Sequence, residues 1–194
     1  MAPVPTDKKP IERSGQSLCQ ACGLCCDGTI TFRVKVWTDD DIAPLAASGI
    51  QIYWDKNTRV FKQPCAAHKN CICTIYKDRP RSCRDYECRL LERFKGSEIS
   101  QDEALGIIRK AVSLKDEVQQ QMLSVSGDKE WRLDEFGEGL TKIMTALRSA
   151  ATDKDYAQLF RSFVALQWCL DQFFRQEPMM PWPTPPSSKK SETA

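Results

Sequence analysis

Nine of the ten cysteines in this chain fall between Cys19 and Cys88, and their spacing is that of metal ligands. Cys19, Cys22 and Cys25 follow C-x₂-C-x₂-C, the opening of the run with which bacterial iron–sulfur proteins hold a cubane. Two intervening residues let the backbone curl so that neighbouring thiolates face one ion. Gly23 is expected to relieve crowding where backbone amides approach the sulfurs. The continuation departs from that run: no x₃-Cys-Pro follows, and Cys26 is adjacent to Cys25. Adjacent side chains project in different directions, so Cys26 is placed to serve a second metal or to be the true fourth ligand.

A second cluster holds Cys65, His68, Cys71, Cys73, Cys83 and Cys88. Cys65 and His68 have C-x₂-H spacing, His68 is the chain's single histidine, and imidazole is a common zinc donor. Pro80 is suited to open a helix, which would put Cys83 in a first turn where amide donors and the macrodipole favour a thiolate. Arg79 and Arg84 are candidate donors to metal-bound sulfurs or to carbonyls. The predicted ligand set is therefore Cys19, Cys22, Cys25, Cys26, Cys65, Cys71, Cys73, Cys83, Cys88 and His68, around an iron–sulfur cluster or Zn. One cubane, two tetrahedral sites, or a multinuclear cluster with spare thiols all satisfy that count.

Cys19-x-x-Cys22-Gly-x-Cys25-Cys26, a remote Cys65, and Cys73-x-Ile75-Tyr76-x-x-Arg79-Pro80-x-x-Cys83-Arg84 together resemble the YkgJ-type CxxCxxCC cysteine-cluster family. Its members are described as zinc- or iron-chelating proteins, mostly bacterial, and are similar to the N-terminal part of flagellin lysine methylases. The resemblance covers about residues 15–90. It implies Cys19, Cys22, Cys25, Cys26, Cys65, Cys73 and Cys83 as ligands and places Cys71, His68 and Cys88 less directly. Ala-Ala-His after Cys65 departs from the pattern. By analogy alone it also raises a cluster-bearing subunit of a protein-modifying enzyme.

The rest of the chain narrows the function class. At 194 residues it is long enough to bury a core without cysteine cross-links. No apolar stretch reaches the roughly 18 residues a membrane span needs, and the polar, proline-punctuated start has no apolar signal core. The expected setting is cytoplasmic, where clustered thiols bind metal more often than they pair. Over residues 77–95 seven cations face four carboxylates, and with a pI near 8.0 a nucleic-acid partner is not expected. No phosphate-cradling glycine loop or Cys–His nucleophile pair is present. The functional expectation is a cysteine-ligated centre with a redox or electron-transfer role. The alternative is a zinc-stabilised module that binds a protein partner through its helical half without catalysis.

The elements that must position these residues read as α+β, a small metal-binding region with short strands followed by a three-helix antiparallel bundle. Residues 1–15 form a flexible lead, 16–96 the cysteine domain, 97–175 the helical region, and 176–194 a proline-rich disordered tail. Residues 1–96 carry 16 lysines and arginines against 11 acids, and residues 97–194 carry 12 against 15. Alternation predicts a strand over 30–36, and strands over 49–54 and 58–62 flank a turn at 55–57. Thr38 with Asp41 is the expected cap of a short helix ending near Gly49. Ser100 with Glu103 is a capping box before the first long helix. Leu133–Leu147 marks a second, and Thr152 with Asp155 opens a third carrying Leu159, Phe163, Leu166 and Leu170. Cys169 reads as a small buried hydrophobe.

Overall fold

The computed structural model describes residues 15–126 and 153–179. The chain begins with α1 (Gln16–Cys22), β1 (Arg33–Val36), α2 (Ala43–Ala47), β2 (Tyr53–Asp55) and β3 (Thr58–Lys62). β4 (His68–Lys69), β5 (Ile72–Cys73), α3 (Arg81–Asp85), α4 (Arg89–Lys95), α5 (Gln101–Ser126) and α6 (Asp153–Phe173) follow. The mixture of helices and small antiparallel sheets agrees with the α+β expectation. The expected helix over Leu133–Leu147 lies outside the described residues, as do residues 1–14 and most of the proline-rich tail.

Apolar periodicity builds the larger core. Ala104, Ile108, Ala111, Val118 and Met122 of α5 are buried at helical spacing, and Leu159, Phe163, Leu166 and Leu170 of α6 face them. The two helices run antiparallel, with Gln121 Nε2 donating to Ser162 Oγ at 3.1 Å at one end and Ile108 beside Phe174 at the other. The same core takes in Leu18 of α1, Leu24, and Leu90, Leu91 and Phe94 of α4. The cysteine-rich segment is thus seated on the long helices. The capping box forms as predicted: Ser100 N donates to Glu103 Oε2 at 2.7 Å and Glu103 N to Ser100 Oγ at 3.2 Å.

A second, smaller core lies under a three-stranded antiparallel sheet of order β1-β3-β2. Val34, Val36 and Phe61 point inward from it onto Leu45, Ile50 and Ala67, the period-two pattern of a half-buried sheet. β1 starts three residues later than the alternation predicts. Ile30 N bonds Leu24 O, and Thr29 N bonds the Asp27 carboxylate, which keeps that stretch in a turn. α2 is shorter than expected and is not capped by Thr38. Asp41 Oδ1 accepts from Ala43 N at 3.0 Å instead, with Pro44 in the first turn.

Candidate metal centre

The first cysteine run is shaped by the end of α1. Cys19 and Cys22, three apart on that helix, share a face. Gly23 then adopts φ +67° and returns its amide to Cys19 O at 3.0 Å, a left-handed helix stop. The amides of Cys26 and Asp27 bond back to Gly23 O, so the chain reverses and brings Cys25 and Cys26 over the helix end. Leu24, fully buried, pins this turn into the larger core. Lys115 of α5 reaches across to Asp27 at 3.3 Å. Burial lowers the lysine's proton affinity, but Asp27 and Asp116 outweigh it and leave its pKa raised.

The second run is fastened to the first by Cys65 N, which donates to Cys26 O at 2.8 Å. β4 and β5 then form a hairpin with Asn70 and Cys71 both at positive φ, the geometry of a type I′ turn. His68 pairs with Cys73 across it. Arg79 stacks on Tyr76, its guanidinium 3.7 Å from the ring centre, and donates from Nε to Tyr76 O at 3.0 Å. Arg84 donates to Arg79 O at 2.6 Å. Both arginines therefore serve carbonyls, one of the two roles foreseen for them. α3 carries Cys83, and Cys88 stands at the N-cap of α4.

These elements bring Cys19, Cys22, Cys25, Cys26, Cys65, Cys71, Cys73, Cys83, Cys88 and His68 to the wall of one cavity of about 280 Å³. Cys169 lies apart, 1% exposed in the larger core, as a buried hydrophobe. Cys19 and Cys71 are exposed and the other cavity thiols are half-buried. Among the described residues no three His, Cys, Asp or Glu side chains are gathered closely enough to grip one ion, so the donors ring the cavity.

Burial pushes the Cys22, Cys26 and Cys83 thiols up to about 12, and Cys25 well above its ordinary value. Burial also raises Cys19, Cys65 and Cys88. In the metal-free fold desolvation outweighs what the first turn of α3, a helix of only five residues, offers the Cys83 thiol. Backbone amides do soften the rise at three positions, from Leu24 at Cys22, Ala67 and His68 at Cys65, and Leu91 and Leu90 at Cys88. Such N–H donors favour the charged sulfur a metal requires.

The donor set suits a soft, thiophilic metal. Nine sulfurs and no carboxylate line the cavity, with Asp27, Glu87 and Asp40 just outside the lining, while Arg33, Lys35 and Arg79 supply positive charge. His68 Nε2 is buried and has no hydrogen-bond partner. Residues 18–111 match the family model CxxCxxCC, described as "Putative zinc- or iron-chelating domain". The CxxCxxCC match extends past the second cysteine run into α5, the helix that supplies Lys115. No curated protein and no solved structure matches the chain. Among the described residues no helix is long and apolar enough to cross a membrane.

Several residues at this site carry no signal in the cysteine spacing. Tyr86 lines the cavity, its phenol pushed up by burial and then by Cys25 and Cys88. Lys115 lies 88 positions from Asp27, beyond the reach of any local pattern.

Proposed function

We propose that the CxxCxxCC segment is a metal-binding module in which the clustered cysteines hold an iron–sulfur centre, giving the protein an electron-transfer or oxidant-sensing role. The observation that carries this reading is the single carboxylate-free cavity to which all nine clustered sulfurs are brought. The C-x₂-C-x₂-C spacing of Cys19, Cys22 and Cys25 favours iron–sulfur over a mononuclear ion. When bound, such a centre supplies one-electron chemistry. The chain's part is to offer thiolates, to stabilise them with the amides of Leu24, Ala67 and Leu91, and to offset their charge with Arg79. Ten free thiols suit a reducing compartment.

The test is anaerobic purification of the full chain, followed by a visible spectrum and by iron, zinc and acid-labile sulfide analysis of one sample. A brown protein with matched iron and sulfide is expected. A second reading, a structural zinc module, is favoured by the buried, unpartnered imidazole nitrogen of His68. It predicts a colourless protein that holds zinc and unfolds on chelation. A metal-free protein whose cavity thiols all alkylate freely would defeat both.

A further inference from the structure

We infer that metal draws the spread cavity thiols into two separate four-sulfur centres: Cys19, Cys22, Cys25 and Cys88 form one, Cys26, Cys65, Cys73 and Cys83 form the other, and the Cys25–Cys26 peptide bond runs between them. This division rests on the metal-binding reading above and deepens it.

Packing separates the two sets. Cys22 and Cys88 lie against the larger helical core, whereas Cys65 and Cys83 lie against the core under the sheet. Cys19 shares a helix face with Cys22, and Cys25 is returned to it by the Gly23 stop. Cys26 is tied to the other side, its carbonyl accepting from Cys65 N at 2.8 Å. Thr74 N bonds Ala67 O at 2.9 Å, which fastens the Cys73 strand to the loop that follows Cys65. α3, bearing Cys83, packs on β1 of the same sheet.

Four thiolates around a divalent ion carry a net charge of about −2, so two such centres repel. Arg79, which lines the same cavity and is held by its stacking on Tyr76, supplies a cation that offsets that repulsion.

The remaining two donors fall outside both sets. Cys71 sits exposed at the hairpin tip with φ +61°, its sulfur 3.8 Å from where a Cβ on Gly23 would lie and so beside the first set without being one of its four. His68 faces Gly23, beside the first set, where its unpartnered Nε2 is suited to donate to a metal-bound sulfur.

The test titrates the reduced, metal-free full chain with Cd²⁺ and follows it by cadmium NMR. Two bound equivalents and two resonances in the tetrathiolate region are expected. Cys25→Ser should remove or shift one resonance and spare the other, and Cys26→Ser should do the converse. Cys71→Gly should keep both. A single wild-type resonance, the same resonance lost in both Cys25→Ser and Cys26→Ser, or a resonance lost in Cys71→Gly would overturn the division while leaving metal binding intact. Failure of the wild-type chain to bind cadmium would overturn the metal-binding reading itself. The wild-type spectrum needs no substitution, so a variant that fails to fold does not remove the test.

Discussion

Arg175 and Asp171 form an ion pair of 2.7 Å at the end of α6, with side chains only 8% and 0% exposed. Arg175 also donates to Gln167 Oε1 at 2.8 Å and to Thr29 O at 3.5 Å, and Met179 N donates to Asp171 Oδ1 at 3.0 Å. The pair therefore joins the last turn of α6 to the loop that follows Cys26. Breaking a buried pair from one side strands the other charge. Asp171→Ala is expected to cost about 3–5 kcal/mol, read by chemical denaturation. Replacing both partners at once, Asp171→Leu with Arg175→Met, should recover most of that loss. A single substitution within about 0.5 kcal/mol of wild type would show that the pair is solvated.

Gly23 is the second point of tension. A Cβ at this position would lie 3.1 Å from His68 Cε1 and 3.2 Å from Nε2, at a φ of +67°. Two costs thus coincide: the left-handed conformation, about 1–2 kcal/mol for a residue with a side chain, and displacement of the imidazole. Gly23→Ala should destabilise by at least the first of these and weaken metal retention. In the double variant Gly23→Ala with His68→Ala, the steric part should disappear and the backbone part persist. Equal losses in the two variants would show that the ring yields freely.

Lys115 and Asp27, only 18% and 25% exposed, link α5 to the cysteine turn. A charged contact of this partial burial is worth about 1 kcal/mol. A double-mutant cycle with Lys115→Met and Asp27→Asn should return a coupling of that size, and both variants should speed amide exchange at Cys26 and at residue 27, whose amides bond Gly23 O. Because the Lys115 pKa is raised in the folded protein, its contribution is present below its ordinary value of 10.5 and is lost as pH climbs through the raised one. A coupling that survives strong alkali would contradict the assignment.

What the sequence made legible was local. Ser100 and Glu103 lie three residues apart, and both bonds of their box form. The strand over Thr58–Lys62 follows its apolar pattern, and Cys169 is buried as its helix position implies. The gathering of the cysteines was legible because short spacings constrain a chain directly. What escaped was set by tertiary contact. His68 meets Gly23, Lys115 meets Asp27 and Arg175 meets Thr29 across separations that no periodicity encodes. Burial likewise outweighs the local helix terminus at Cys83 in the metal-free fold, a tertiary effect that spacing does not encode. The N-cap position of α2 falls to Ile42 rather than Thr38, and the side chain that meets the helix start is Asp41, whose carboxylate accepts from Ala43 N.

The raised thiols make the metal-free and metal-loaded proteins respond to pH in opposite directions. In the metal-free fold, Cys22, Cys26 and Cys83 hold their protons up to about 12 against an ordinary 9.0, so above pH 9 the unfolded chain gives up protons that the folded one keeps. The stability these groups contribute is therefore fully present below pH 9 and is lost as pH rises toward 12. In the loaded protein the same sulfurs are already thiolates, and protons compete with the metal for them, so stability falls on acidification instead. The metal-free midpoint should fall between pH 9 and 12 with little slope from these thiols below pH 9, whereas the loaded midpoint should fall on acidification below pH 9 and level off above it. Loading at neutral pH should release about one proton per ligating cysteine, which a weakly buffered indicator assay counts directly. Parallel slopes, or metal uptake without proton release, would mean that the buried thiols are not the ligands.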